Sequence, residues 1–162
     1  MNPTLIKRRF TYIFISVAVC LIIGFLSSVV TQSSVNDWYL TLNKPSFNPP
    51  NWVFAPVWTT LYILMGVSAG WVWSKGFHHK WVKTALYHFG FQLLLNALWS
   101  IVFFGLQSPF WALLVILALL VMIIFTIKWF KLVSKVAAIL LLPYLAWVCF
   151  ATLLNYKIWE LN

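Results

Sequence analysis

Pro109–Ile127, PFWALLVILALLVMIIFTI, runs for 19 residues without a Lys, Arg, Asp or Glu. About 20 such residues in a helix cross the hydrocarbon of a bilayer. Four other stretches read the same way. Phe10–Val30, Trp52–Trp73, Thr84–Leu106 and Val136–Tyr156 are 21, 22, 23 and 21 residues long and equally free of those charges. Strands of a membrane barrel would be about half as long and would alternate in polarity. The pattern predicts an all-α membrane protein: a five-transmembrane-helix bundle in a single domain over residues 1–162, with a long loop between helices 1 and 2.

Composition agrees with lipid as the solvent. Hydrophobic residues make up 63% of the chain and charged residues 8%, with Asp37 and Glu160 the two acids. Soluble domains carry about a quarter charged residues, so a water-soluble enzyme is excluded. The first span is too long for a signal-peptide core, and no small-residue cleavage pattern follows it.

The net charge of +9 is unevenly placed. Lys7, Arg8 and Arg9 precede helix 1, Lys75, Lys80 and Lys83 separate helices 2 and 3, and Lys128, Lys131 and Lys135 separate helices 4 and 5. Only Lys44 and Lys157 fall on the other side. The positive-inside rule then puts the N-terminus in the cytoplasm and the C-terminus outside. The basic face suits anionic lipid headgroups. Nucleic acid is not expected as a partner, because the aromatic residues sit in the spans and not among these cations. Cys20 and Cys149 lie inside spans and read as packing residues.

Of eleven tryptophans, Trp52, Trp71, Trp73, Trp81, Trp111, Trp129 and Trp159 fall near span ends, where interfacial anchoring explains them. Trp38 lies in a loop. Trp58, Trp99 and Trp147 lie well inside spans, where an indole N–H needs a partner or the ring a ligand. Polar residues repeat the pattern. His88, Gln92, Asn96, Trp99 and Ser100 form a stripe on helix 3; Tyr144, Trp147, Ala151 and Asn155 form one on helix 5; Trp58 and Tyr62 share a face of helix 2. Such groups are costly in hydrocarbon unless they face protein, ligand or water. Given the orientation above, most lie in the middle or outer half of the bilayer, which points to one pocket on three helices. Interhelical hydrogen bonding is the competing explanation for Gln92 and Asn96. Helix 4 has no such stripe and reads as lipid-facing packing.

Thr31–Asn51, TQSSVNDWYLTLNKPSFNPPN, is a 21-residue connection on the pocket side. Pro45, Pro49 and Pro50 stiffen it and Trp38, Tyr39 and Phe47 give it apolar surface, so it reads as a lid. Ser16, Cys20, Gly24 and Ser28 on helix 1, and Gly66 and Gly70 on helix 2, are small-residue seams expected to pack within the chain. Pro56 falls near the start of helix 2, where it is tolerated, and Pro143 should kink helix 5.

Familiar catalytic signatures are missing: no glycine-rich phosphate loop, no HExxH, no CxxC and no paired carboxylates. His78 and His79 read as solvated loop residues, and His88 as an interfacial or interhelical histidine. No metal site is expected. With no intramembrane carboxylate or cation, a proton-coupled pump is a weak reading.

Three separated motifs carry a resemblance. Asp37-Trp38-Tyr39-x2-Leu42-x-Lys44-Pro45-x-Phe47-x-Pro49-Pro50-x-Trp52-x-Phe54-x-Pro56-x-Trp58-x2-Leu61-Tyr62 is the first. Gln92-x3-Asn96-x2-Trp99-x3-Phe103-Phe104-Gly105 and Pro143-Tyr144-x2-Trp147-x3-Ala151-Thr152-x2-Asn155 are the others. Together they resemble the translocator protein family, also called tryptophan-rich sensory proteins or peripheral-type benzodiazepine receptors, over essentially the whole chain after helix 1. The resemblance implies a bacterial cell-membrane protein, commonly a homodimer, that binds tetrapyrroles such as protoporphyrin IX or haem and drug-like hydrophobic ligands, with no required cofactor. Carried over by motif, the ligand-binding residues would be Tyr39, Pro49, Phe54, Trp58, Tyr62, Gln92, Asn96, Trp99, Trp147 and Ala151. Trp58 and Trp147 would also be the candidates for light-dependent porphyrin breakdown, since indole can reduce an excited porphyrin. The family's cholesterol-recognition pattern is damaged: Lys157 follows Tyr156 directly, and Glu160 stands where a base is expected. The leading expectation is a binder and sensor of tetrapyrroles. A photo-oxidative porphyrin-degrading enzyme and a porphyrin or lipid transporter are the alternatives.

Overall fold

The computed structural model describes residues 3–162, with side chains for all of these except 3–5 and 33. Its elements are α1 (Pro3–Val35), α2 (Trp38–Thr41), α3 (Asn51–Trp73), α4 (Lys80–Ser100) running into a π turn (Ile101–Gly105), α5 (Pro109–Val133), α6 (Lys135–Leu140) and α7 (Leu142–Leu161). Among the described residues there is no strand, and five helices are long and apolar enough to cross a membrane. Counting α6 and α7 as one broken span, the five expected spans are all present. Phe14, Phe25 and Leu94 are 75%, 67% and 65% exposed at mid-span. Water would not tolerate such a surface, but hydrocarbon does. The protein is a multi-pass membrane helix bundle.

The spans close into a ring: α1 packs on α3, α3 on α6 and α7, α7 on α5, α5 on α4, and α4 with its π turn on α1. The α1–α3 contact is the most intimate. A Cβ added to Gly66 would stand 2.4 Å from Val17 Cα, and one added to Gly70 would stand 2.4 Å from Ile13 Cα. The small-residue seam therefore works within the chain, where bare backbone lets two helices touch. Ser68, fully buried midway between the two glycines and on the other face of α3, donates to the Ala137 carbonyl at 2.7 Å and ties α3 to α6.

Several expected boundaries shift. The first helix extends past both ends of Phe10–Val30, so Lys7, Arg8 and Arg9 are helical; Arg9 lies 4.7 Å over the Trp71 ring. Thr31 and Gln32 are also helical, which shortens the loop, and α2 folds a turn within it. Lys80 and Lys83 begin α4, and Lys128 and Lys131 complete α5. Lysine stems cover apolar surface while the ammonium stays wet, so charge-free windows underestimate helix length. Pro56 stands a full turn inside α3, deeper than its expected position. The fifth span breaks at Leu141, with Pro143 in the first turn of α7, as a residue lacking a backbone donor demands. The expectation for the fourth span needs correcting: Ala112, Ile116, Leu119, Ile123 and Phe130 of α5 are buried in the bundle. Its core face escaped notice because apolar residues also cover its outer face.

Gly66→Ala and Gly70→Ala should each destabilise the protein by about 1–3 kcal/mol through overpacking against backbone. Gly90→Ala, whose Cβ meets nothing within 4 Å, should be neutral or mildly stabilising. Thermal unfolding in detergent measures all three.

Candidate ligand-binding site

A cavity of about 540 Å³ opens at the end of the bundle opposite the clustered cations, walled by α1, α3, α4 and α7 and covered by the α1–α3 connection. Its size falls in the range of roughly 300–1,000 Å³ that suits drug-sized molecules. The walls are largely aromatic. Trp58 and Trp99 face each other with ring centroids 6.4 Å apart and planes 31° from parallel. Trp147 meets Phe54 at 6.1 Å and Phe150 at 5.4 Å.

Of the residues expected at the site, Tyr39, Phe54, Trp58, Tyr62, Trp99, Trp147 and Ala151 line this cavity. Pro49, Gln92 and Asn96 do not. Pro49 lies in the connection, where its carbonyl accepts from Asn48 Nδ2 at 3.0 Å. Gln92 and Asn96 are buried behind the wall, both 1% exposed. There Tyr62 Oη donates to Asn96 Oδ1 at 2.7 Å, Asn96 Nδ2 donates to Tyr144 Oη at 3.0 Å, and Tyr144 Oη donates to Gln92 Oε1 at 2.8 Å. This network joins α3, α4 and α7, so for these two residues the interhelical reading describes the geometry.

The other predicted stripe residues settle nearby. Trp99 Nε1 donates to Asn155 Oδ1 at 3.0 Å, and Asn155 Nδ2 donates to the Pro109 carbonyl at 2.8 Å, which ties the indole to α7 and, through it, to the start of α5. Trp147 Nε1 is buried without a hydrogen-bond partner; Gln92 Nε2 is the other such atom among the described residues. His88 Nδ1 lies 2.9 Å from the Thr84 carbonyl, and His78 and His79 are exposed in the α3–α4 turn. No cluster of metal-ligating side chains occurs among the described residues.

Two groups of lining residues were missed. Leu21, Gly24, Phe25, Ser28, Thr31 and Gln32 make α1 a full wall. The polar run at the end of helix 1 was the available signal, but small residues there read equally well as packing. Phe103 and Phe104 both reach the site because the π turn inserts an extra residue: Leu106 N donates to the Ile101 carbonyl at 2.9 Å. Ser34 Oγ donates to the Phe104 carbonyl at 2.6 Å and pins that turn to α1.

The connection does cover the cavity, through α2. Tyr39 is 4% exposed, packs on Phe104 with centroids 5.8 Å apart, and donates its hydroxyl to Asn48 Oδ1 at 2.8 Å. Lys44 Nζ lies 4.9 Å from the same ring's centroid. Asn43 and Asn162 exchange bonds: Asn43 N donates to Asn162 Oδ1 at 3.0 Å, and Asn162 Nδ2 donates to the Asn43 carbonyl at 3.0 Å. The covering segment is thus fastened to α7.

Burial pushes the Tyr39 phenol up to about 12, outweighing its bond to Asn48. A raised folded value means stability present below the unfolded value of about 10 and lost as pH rises through 12. Tyrosinate absorbance should therefore differ between wild type and Tyr39→Phe near pH 12, not near 10. Separately, Asn155→Leu should cost about 1–3 kcal/mol in thermal unfolding by leaving Trp99 Nε1 unpaired. Thr152→Val, whose hydroxyl only returns to the Val148 carbonyl of its own helix, should leave stability nearly unchanged.

Comparison with known proteins accounts for this arrangement. Residues 16–160 match the model of the TspO/MBR family. The chain is 42% identical over 156 residues to the tryptophan-rich protein TspO of Chlorobaculum tepidum, covering 96% of this chain and 99% of that one. It is 44% identical over 141 residues to the human translocator protein, covering 85% and 82% of the two chains. It is 38% identical over 127 residues to the tryptophan-rich sensory protein of Cereibacter sphaeroides, covering 78% of each. With family motifs on three helices and the covering segment, and with the match running nearly end to end, this chain belongs to the TspO/MBR family.

Proposed function

We propose that the protein is a membrane binder and sensor of tetrapyrroles such as protoporphyrin IX or haem, held in the cavity beneath α2. The carrying observation is the aromatic enclosure: three indoles and Phe54 around one cavity whose exposed lining is mostly apolar. A flat, apolar macrocycle gains both area burial and offset stacking against such walls. The buried, unpaired Trp147 Nε1 gives a ligand acceptor something to satisfy after a modest ring adjustment. A haem would be held through its macrocycle: among the described lining residues there is no His, Cys or Met, and the Tyr39 and Tyr62 hydroxyls are engaged with Asn48 and Asn96. Lys44, beside Tyr39, is the cation best placed for a propionate; Lys157 pairs with Glu160. The sensory name of a relative agrees with this reading.

The cation-rich end is assigned to the cytoplasm by the positive-inside rule, so the cavity faces the outer leaflet. Photo-oxidative breakdown of the bound porphyrin, with molecular oxygen as the oxidant, is the second reading. It is favoured by the Tyr62 ring 5.8 Å and the Tyr144 ring 6.5 Å from Trp58, close enough to share a hole left on the indole.

Titration of detergent-solubilised protein with protoporphyrin IX in the dark should give saturable quenching of tryptophan fluorescence. Trp58→Phe/Trp147→Phe should weaken binding roughly 10-fold, from about 0.5–1.5 kcal/mol per aromatic contact. Absence of saturable binding to folded protein would remove the tetrapyrrole reading. Illumination of the saturated complex tests the second: porphyrin loss beyond one equivalent per protein supports it, and loss of tryptophan in step with porphyrin overturns it.

A further inference from the structure

Behind the cavity wall, the three hydrogen bonds from Tyr62 through Asn96 and Tyr144 to Gln92 all point their protons away from the cavity. Tyr62 lines the cavity, and the Ser27 hydroxyl, also a lining group, lies beside its phenol. At the far end Gln92 is 1% exposed, does not reach the cavity, and leaves its Nε2 without a partner.

Every member of this chain can run the other way. A phenol both donates and accepts, and a half-turn of a primary amide exchanges its oxygen and nitrogen. In the reversed arrangement Gln92 Nε2 donates to Tyr144, Tyr144 donates to Asn96 Oδ1, and Asn96 Nδ2 donates to Tyr62. The phenol proton of Tyr62 is then free for Ser27 or the cavity, and the buried Gln92 nitrogen gains the partner it lacks. Mixed arrangements fail. If Asn96 turns alone, Tyr144 faces two acceptors with one proton. If Gln92 turns alone, Tyr144 receives two donors and its own proton has no acceptor.

We propose that Tyr62, Asn96, Tyr144 and Gln92 form a relay of reversible polarity, whose cavity end accepts a hydrogen bond in one state and donates one in the other. The ligand's polar group selects the state. Flat apolar ligands bearing either an N–H donor or a carbonyl acceptor can therefore be held at the same wall without rebuilding it. Tyr62 is the contact residue, and Gln92 is a positioning residue that sets the balance from outside the cavity. The inference rests on the cavity taking an apolar ligand, and is independent of that ligand being a tetrapyrrole.

Carbazole and 9-fluorenone test it, since both are fused three-ring molecules carrying an N–H or a C=O at the same position. With wild-type protein, infrared spectra should show the bound fluorenone carbonyl band and the bound carbazole N–H band both shifted below their positions in hydrocarbon solvent. Gln92→Met removes the acceptor of Tyr144, which must then donate to Asn96, locking the donating state. Carbazole affinity should fall roughly 3- to 10-fold relative to fluorenone, the worth of one hydrogen bond. Tyr62→Phe should erase the fluorenone shift.

Unshifted bands for both bound ligands in the wild type would overturn the proposal without recourse to any variant. So would an equal change in both affinities in Gln92→Met, or failure of folded wild-type protein to bind either ligand. The porphyrin titration is a separate result: its failure alongside a carbazole–fluorenone split removes the tetrapyrrole reading and leaves the relay standing.

Discussion

The phenol of Tyr144 sits between two amides at the centre of the bundle, about as far from water as any group in the protein. In hydrocarbon a polar side chain has no solvent to fall back on, so it must be paired by protein. Tyr144 and its partners meet that requirement by joining three of the five spans. The helices that carry these residues are thereby held at one depth, and Trp58, Trp99 and Trp147 take their places around the cavity as a consequence. A second polar link, from Trp99 through Asn155 to the start of α5, closes the remaining side.

That arrangement explains a division of labour among the spans. α1, α3, α4 and α7 wall the cavity, whereas α5 contributes none of the lining residues. Its buried face packs α4 and α7 from behind and keeps their polar stripes turned inward. At the opposite end the bare backbone of Gly66 and Gly70 draws α1 against α3. At the cavity end, Gly24 leaves just enough room for the Tyr62 ring, which a Cβ there would meet at 2.6 Å. The same seam that tightens one end of the helix pair thus seats a pocket residue at the other.

The deviations from regular helix concentrate near the cavity and in the last span. The π turn after α4 brings two consecutive phenylalanines to the site, and the break at Leu141 lets α6 pack on α3 before α7 turns along the cavity. Pro143 announces the break, because a missing donor and a ring clash are properties of the residue itself. Nothing comparable announces the π turn. Ile101–Gly105 reads as an ordinary apolar helix end, and the extra residue is stabilised by a serine 70 positions away on α1.

Class, span count and the lopsided distribution of cations were all legible in the chain, because the bilayer imposes a length and a polarity that act on each segment independently. The unusual tryptophans and the polar stripes were legible for a related reason: each is costly in hydrocarbon whatever its neighbours are. Which of those residues face a ligand and which face one another was not, and Gln92, Asn96 and Asn155 show why. An amide satisfied by a tyrosine on another helix and an amide awaiting a ligand have the same spacing on their own helix. Likewise Gly24 and Ser28 look like packing residues, and Thr31 like the start of a loop, until α3 and α4 are set beside them. Local sequence determines what each segment must bury, since that energy depends on the segment and the solvent. Only the tertiary structure decides what each buried group meets, since that depends on rotation and depth of helices distant in the chain.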